Sequence, residues 1–380
     1  MPAGDTLGVQ YSSRPNSNVR KTDDTTKSIS PSILESFCCR VCWHLCDHDF
    51  QAHRSAGFDW FWRSPISLQT HVAAVARKVR LADHAQRRGR SREQLVCDPR
   101  RQGEVEGSSS IFVFDPNGKF IRAFGQQFQG GGHGIEVRVE DGTPYLYIAA
   151  YQQVKTISKL TLTGEKVWEK FAPMKSGVYA DGEDTNPQRS WGRDRFMPTN
   201  FAFLPNGDFL LADGYGAFQI HHYDKDGNWK SCFGGPGAGE GKFATPHGIW
   251  IDDRAGKEAE IVVADRAHGT LQVFDLNSQY KKTVTGFGLP ANVDTYKDLM
   301  LVPELVARVS ILDQNFKTIA TIGDDRKRLQ SDKKKDIRKD SSRWQNGKFV
   351  HPHDACFDKN GDIFVAEWVS TGRISKLTRA

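Results

Sequence analysis

The stretch ATPHGIWI, residues 244–251, occurs in related form twice more, as GGGHGIEV at residues 130–137 and as VHPHDACF at residues 350–357. Each copy begins a segment rich in apolar residues, and each carries one of three histidines: His133, His247 and His353. A motif that returns at wide and regular intervals predicts a protein built from structural repeats.

Two similar stretches lie between the histidine copies and contain no histidine. They are MPTNFAFL, residues 197–204, and LPANVDTY, residues 289–296, and we take Asn200 and Asn292 as the residues in the histidine position. Histidine would then occupy alternate repeats. Three imidazoles that converge on one central metal would produce this alternation.

Five segments share one pattern of short apolar strands separated by tight turns. Asn-Gly and Asp-Gly dipeptides, as in LPNGDFLLADG and YDKDGNWKSCFG, favour two-residue hairpins. The copies run over residues 131–171, 196–234, 243–288, 289–323 and 349–380. Four-stranded repeats of about 40 residues predict an all-β fold, the β-propeller.

The propeller is expected to occupy residues 108–380. IFVFDPNGKFIRAFG, residues 111–125, predicts the outer hairpin of one further blade, so we expect six blades with the first incomplete. Residues 1–107 lack this pattern and predict an irregular, disordered arm or a segment that a wrong start or a shifted reading frame has added. Within them, residues 71–104 are arginine-rich and indicate either a basic amphipathic helix or a solvated arm.

A cluster of cysteines and histidines lies within this first region. Its members are Cys38, Cys39, Cys42, His44, Cys46 and His48. They supply thiolates and imidazoles that could bind zinc. Their spacing differs from the two separated ligand pairs of a structural zinc site, so we do not expect one here.

Composition narrows the class of protein. The chain has 380 residues, with 35 glycines, 23 phenylalanines and only four methionines, which suits a turn-rich β protein. A formal net charge of +6 on 52 basic and 46 acidic residues gives little support for nucleic-acid binding. No apolar run is long enough to cross a membrane, and no secretory signal is visible.

The histidines have the arrangement of a catalytic zinc site. On the second, fourth and sixth blades of a six-bladed propeller they would lie about 120° apart around the central channel. Three imidazoles leave one ligand position open for water or substrate, as in catalytic zinc centres. A single histidine at such a place would more simply be a hydrogen-bonded core residue.

A second set of polar residues follows the next strand of each blade. It consists of Tyr151, Asp213, Tyr215, Asp265, Arg266, Glu304, Glu367 and Trp368. The Tyr215 phenol could accept a proton, and the Arg266 guanidinium could hold a carboxylate or an oxyanion. The acidic residues have a simpler interpretation, because carboxylates at strand ends tie propeller strands together.

Several phrases resemble those of NHL-repeat propellers, and in particular the lyase domain of the peptidylglycine alpha-amidating enzymes. They are TPHGIW, LADGYG, VADRAHG and HPHDACF. The resemblance implies zinc on His133, His247 and His353, with Tyr215 as catalytic base and Arg266 in the site. It also implies a structural calcium held partly by Asp354, and it suggests a secreted or periplasmic protein.

The chain departs from that family in two ways. The family takes a further arginine from its first blade, which is the blade that this sequence shows only in part. The family also has a cysteine after the Asp-Gly-Tyr phrase, where this chain has Gly216, so the disulfide of that loop is missing.

Two classes of function follow from these residues. One is a metal-dependent lyase, or a hydrolase, that acts on a small or peptide-derived substrate bearing a carboxylate. The other is a non-catalytic NHL-repeat scaffold that binds a protein or a polysaccharide. Two polar insertions, residues 175–195 and 324–348, predict rim loops that could contact such a partner.

Overall fold

The structure, a computed structural model, describes residues 109–114, 120–370 and 372–378. Within these residues the fold is all β, with short helical turns between sheets. The predictions for residues 1–107, namely the irregular arm, the basic helix and the cysteine–histidine cluster, lie outside the described residues. Among the described residues, no helix has both the length and the apolar character needed to cross a bilayer.

Five antiparallel sheets, called blades A to E in chain order, make up most of the described chain. Blade A contains β3 (Gly132–Glu140), β4 (Thr143–Ala150), β5 (Thr156–Thr161) and β6 (Lys166–Lys170). Blade B contains β7 (Asn200–Phe203), β8 (Phe209–Ala212), β9 (Gln219–Tyr223) and β10 (Trp229–Gly234). Blade C contains β11 (Pro246–Asp252), β12 (Glu260–Asp265), β13 (Thr270–Phe274) and β14 (Tyr280–Val284).

Blades D and E complete the series. Blade D contains β15 (Asp294–Tyr296), β16 (Leu299–Glu304), β17 (Arg308–Leu312) and β18 (Thr318–Ile322). Blade E has three described strands: β19 (Pro352–Phe357), β20 (Ile363–Glu367) and β21 (Arg373–Leu377). Every blade is a simple meander in which each strand pairs with the next along the chain, which confirms the predicted propeller architecture.

The core lies between neighbouring blades rather than inside one sheet. Because side chains alternate along a strand, each middle strand faces two neighbours. In β8, Leu211 packs between blades A and B, whereas Leu210 packs between blades B and C. In β12, Val263 joins the cluster between blades B and C, and Val262 joins the next one. These shared clusters hold the first strand of every blade in register around the axis.

The prediction of six blades is met only in part, because the described residues form five. The predicted outer hairpin is present as β1 (Ile111–Phe114) and β2 (Phe120–Phe124), paired antiparallel in a sheet of their own. Ile111 packs against blade A with Phe128 and Leu146. Inner strands for this hairpin would have to come from residues before 109, which lie outside the described residues.

The two insertions differ in structure. Residues 171–199 connect blades A and B without a strand and include the short 3-10 helix Met174–Ser176. The second insertion, predicted as a loop, contains a helix, α1 (Arg326–Ser331), and the 3-10 helix Ser341–Arg343. It packs on the end of blade E, where the guanidinium carbon of Arg338 lies 3.4 Å from the ring centre of Trp368.

Candidate active site and metal centre

The three histidines of the repeated motif meet in the centre of the propeller. His133, His247 and His353 each lie near the start of the first strand of blades A, C and E. Their potential ligand atoms all lie within 4.8 Å of one another. The ring centres are 4.6 to 5.1 Å apart. The predicted convergence of the three imidazoles is therefore confirmed.

Backbone carbonyls of the next blade orient two of these rings. The His133 Nδ1 lies 2.8 Å from the Thr199 carbonyl oxygen, and the His247 Nδ1 lies 2.6 Å from that of Ala291. A carbonyl can only accept, so Nδ1 carries the proton in each ring and the lone pair of a neutral imidazole is on Nε2. Burial, with the nearby Arg266 and the other two histidines, holds the pKa of His247 well below its usual value.

The assignment of Asn200 and Asn292 to the histidine position is wrong by one residue. Strand pairing sets Asn200 opposite Ala212 and Gly248 opposite Ala264, each just before an aspartate, so Asn200 is the counterpart of Gly248. Thr199 therefore takes the histidine position in blade B. By the same opening motif, Ala291 takes it in blade D.

The two asparagines form a hydrogen-bonded chain instead. The Asn200 Nδ2 donates to the Asn292 Oδ1 at 3.1 Å, and the Asn292 Nδ2 donates to the Asp354 Oδ1 at 2.8 Å. Asp354 is the residue after His353 and is half-buried. Among the described residues, only the three histidines form a group that could hold a metal, and Asp354 does not join it.

Tyr215 contacts the histidine cluster directly. Its hydroxyl lies 2.9 Å from the His247 Nε2, and the Arg266 Nη1 donates to the same oxygen at 3.0 Å. The Arg266 guanidinium carbon is also 5.0 Å from the centre of the phenol ring. Tyr215 is only 4% exposed, while Arg266 is half-buried. The structure thus brings both predicted residues to the histidines.

A buried carboxylate fixes the turn that carries Tyr215. The Asp213 side chain accepts from the backbone N–H groups of Met197, Gly216 and Ala217 at 2.7 to 3.1 Å. Burial raises the pKa of Asp213 to about 6, although these hydrogen bonds oppose the shift. The turn closes tightly: a Cβ at Gly216 would lie 2.0 Å from the Arg195 carbonyl oxygen. A residue with a side chain would therefore not fit at position 216 unless the backbone moved.

The other strand-end carboxylates have the structural role that we considered the simpler one. Asp265, Glu304 and Glu367 are fully buried. Each accepts the backbone N–H of a residue that precedes its blade: Ala244 for Asp265, Gly288 for Glu304 and Val350 for Glu367. They fasten the loop before each first strand to the end of the second strand, and none of them belongs to the histidine group.

Two aromatic residues border the site. Tyr151 follows β4, and its ring centre lies 5.3 Å from that of His133 and 5.0 Å from that of Tyr215. Trp191 belongs to the first insertion, and its ring centre lies 5.6 Å from that of Tyr215 and 6.1 Å from that of Tyr151. Trp191 is 48% exposed. Nothing in the sequence around it indicated that this insertion reaches the site.

A buried ion pair holds that insertion against blade A. The Lys155 Nζ lies 2.6 Å from the Glu183 Oε1, and both side chains are at most 1% exposed. The same carboxylate oxygen accepts the backbone N–H of Phe196 at 2.9 Å. Glu183 thus links both ends of the segment that contains Trp191.

No known family profile matches this chain. The chain is 26% identical over 306 residues to peptidyl-alpha-hydroxyglycine alpha-amidating lyase 1 of Drosophila melanogaster, with 72% of this chain and 50% of the relative covered. The chain therefore spans about half the length of the curated relative that it matches. This likeness to a lyase is weak.

Similar solved structures have low identity. A protein of unknown function from Bacteroides caccae has a TM-score of 0.44 and 12% identity, with 68% of this chain and 79% of that chain covered. Virginiamycin B lyase from Staphylococcus aureus has a TM-score of 0.41 and 12% identity, with 65% and 69% covered. The class that the fold and the site define is a β-propeller with three central histidines that could hold a metal.

Proposed function

We propose that this protein is a zinc-dependent lyase that breaks a C–N bond in an alpha-hydroxyglycine-like substrate. Zinc would be held by His133, His247 and His353, and Tyr215 would act as the base. The observation that carries this assignment is the contact of the Tyr215 hydroxyl with both the His247 Nε2 and the Arg266 guanidinium. The weak likeness to the amidating lyase agrees with it.

The histidine cluster suits zinc by the chemistry of its donors. Neutral imidazole nitrogens are common zinc ligands, and three of them leave a fourth position open. The Nδ1–H groups of His133 and His247 already donate to carbonyls, and a hydrogen bond of this kind fixes the orientation of a metal-binding histidine. When bound, zinc would supply a Lewis acid that polarises an oxygen of the substrate.

Arg266 supplies the fixed positive charge that a carboxylate substrate requires. Its guanidinium is half-buried, so solvent only partly screens its charge. The Nη1 donates to the Tyr215 oxygen and would stabilise negative charge there as well. A substrate carboxylate beside Arg266 would bring the neighbouring hydroxyl group towards Tyr215.

The reaction would need one proton transfer at each end of the broken bond. Tyr215, as phenolate, removes the proton from the substrate hydroxyl, and the carbon–oxygen bond becomes a carbonyl. The C–N bond breaks, and its electron pair goes to the amide nitrogen. The nitrogen takes a proton, which Tyr215 can return. The products are an amide and glyoxylate, so atoms and charges balance.

The finer structural features of the resemblance belong to the same proposal. They are six NHL-type blades, with β1 and β2 as the outer strands of the first blade, and a structural calcium held partly by Asp354. Ile111 packs against blade A, as an adjacent blade would. The half-buried Asp354 offers carboxylate oxygen, the ligand type that calcium prefers.

The test combines metal analysis with a product assay on the full chain. We expect close to one zinc per chain, lost in a variant with His133→Ala, His247→Ala and His353→Ala. His222→Ala is the matched control, because His222 is hydrogen-bonded to Asp208 in blade B and lies outside the metal-binding group. The assay follows glyoxylate and amide release from an N-acyl-alpha-hydroxyglycine above the rate without protein.

The products separate the candidate functions. An amide with glyoxylate supports the lyase, whereas an acid product from an amide or ester substrate would indicate a hydrolase. Wild-type protein that binds no zinc and releases no glyoxylate would contradict both enzymes and leave the non-catalytic scaffold.

A further inference from the structure

A line of hydrogen-bonded side chains runs from the outer part of blade B to the turn that carries Tyr215. It begins at Trp229, at the start of β10, and passes through His221 in β9 to Tyr179 in the first insertion. It ends at Asp213, where the Tyr179 hydroxyl donates to Oδ2 at 2.8 Å. Tyr179, His221 and Asp213 are all buried.

The hydrogen bonds in this line have one fixed direction. The Trp229 Nε1 can only donate, and it donates to the His221 Nδ1 at 3.1 Å. A neutral His221 then carries its proton on Nε2, which lies 2.6 Å from the Tyr179 oxygen. Burial lowers the pKa of His221 to about 3, so the ring is neutral. Tyr179 accepts from His221 and is left with its own proton to donate to Asp213.

Asp213 connects this line of hydrogen bonds to the turn that carries Tyr215. Its two oxygens accept four donors in all, from the backbone of Met197, Gly216 and Ala217 and from Tyr179. Gly216 and Ala217 directly follow Tyr215. An acceptor that loses its Tyr179 donor can rotate, and rotation would release the two amides that set the direction of the Tyr215 side chain.

We infer, on the basis of the lyase function proposed above, that Tyr179 is a positioning residue that holds Tyr215 in place through Asp213. The insertion thereby takes part in the reaction without touching the substrate at this position. Because Tyr179, His221 and Asp213 are buried, the restraint acts in a region of low dielectric, where hydrogen bonds are strong.

The central variant is Tyr179→Phe, which removes one hydroxyl and keeps the ring. Tyr223→Phe is its matched control. Tyr223 lies in β9, the strand that contains His221, and its buried hydroxyl has no hydrogen-bond partner among the described residues. We expect kcat per bound zinc to fall about 10- to 100-fold in Tyr179→Phe, with zinc content and KM unchanged. The limb of the pH–rate profile that reports the base should also shift, which a simple loss of folded protein would not cause.

Amide hydrogen exchange gives a measurement that does not depend on turnover. In Tyr179→Phe, the amides of Gly216 and Ala217 should exchange faster than in the wild type, and in Tyr223→Phe they should not. If Tyr179→Phe does not fold, Trp229→Phe removes the donor that fixes the His221 tautomer, and we expect the same changes at a smaller size.

The outcomes are distinguishable. Exchange and the pH profile that match those of the Tyr223→Phe control would overturn the role of Tyr179, even if the wild type is an active lyase. Wild-type protein with no lyase turnover would contradict the proposed function, and faster exchange at Gly216 and Ala217 would then still support the restraint on the turn.

Discussion

The Tyr215 hydroxyl donates its proton to the His247 Nε2 across 2.9 Å, because the His247 Nδ1 is already engaged with the Ala291 carbonyl. A cation bound to His247 would use the same Nε2 lone pair. The phenol would then lose its acceptor while it keeps Arg266 as a donor. Binding of a metal and loss of the phenol proton would therefore be coupled at one nitrogen atom.

Tyr215→Phe should abolish turnover but keep the metal. Removal of a general base lowers rates by about 10²- to 10⁴-fold, while the three imidazoles stay in place. Tyr151→Phe is the control, because its hydroxyl is hydrogen-bonded to Gln152 and its variant should change kcat much less. Glyoxylate release and zinc content measure both effects. Full activity in Tyr215→Phe would show that another group is the base.

Gly216→Ala should disrupt the same turn by sterics alone. The added Cβ would lie 2.0 Å from the Arg195 carbonyl oxygen and 2.3 Å from the Asp213 Oδ1, so the backbone must move. We expect the free energy of unfolding to fall by about 2 kcal/mol or more and turnover to fall with it. Gly239→Ala is the control, since a Cβ there meets nothing within 4 Å. Equal stability of the two variants in chemical denaturation would contradict the contact.

The features that the sequence predicted are those with a local signal. The returning motif at residues 244–251 and the Asn-Gly and Asp-Gly turns identify the blades, because strand alternation and hairpin geometry depend on neighbouring residues. His133, His247 and His353 converge because each occupies the same position near the start of the first strand of its blade. The repeat pattern that identifies this position in one blade therefore identifies it in all three. Arg266 and Tyr215 follow from the same repeat pattern.

The features that the sequence did not predict depend on contacts across the chain. The register of Asn200 is one of them, because only the pairing of Asn200 with Ala212 and of Gly248 with Ala264 shows that Asn200 is the counterpart of Gly248. Tyr179 and Trp191 lie in an insertion without strand periodicity, and their partners are fixed by folding. A buried Glu183 in a polar insertion also gives no sequence signal, since most such carboxylates are exposed.

Lys155→Ala should destabilise the protein strongly. It leaves the buried Glu183 carboxylate without its closest cation, and breaking a buried pair in this way typically costs about 3–5 kcal/mol. Lys166→Ala is the matched control, because Lys166 is 57% exposed in its pair with Glu169 and should change the free energy of unfolding by less than about 1 kcal/mol. Denaturant unfolding of both variants measures the difference, and similar values would argue against a buried clamp.

His221→Gln should change how stability depends on pH. Burial lowers the pKa of His221 to about 3 in the folded protein, so between pH 6.5 and 3 only the unfolded chain takes up the proton. The wild type should therefore lose stability relative to His221→Gln as the pH falls below 6.5, by up to about 1.4 kcal/mol per pH unit. Asp213 titrates in both proteins and largely cancels in the difference. A stability difference that is independent of pH would mean that the pKa of His221 is not lowered in the folded protein.

Trp191→Ala should weaken substrate binding without affecting the metal. The indole is 48% exposed and its ring centre lies 5.6 Å from that of Tyr215, so it offers an apolar surface next to the reacting group. The KM for a substrate with an aromatic acyl group should rise about 2- to 10-fold, which corresponds to the interaction energy of one aromatic pair. The KM for an acetyl substrate should rise less. Trp344→Ala is the control, because Trp344 lies in the second insertion and donates to the Ile337 carbonyl. Equal KM values for the aromatic substrate in wild type and Trp191→Ala, with zinc content unchanged, would show that the first insertion borders the site without contacting what binds there.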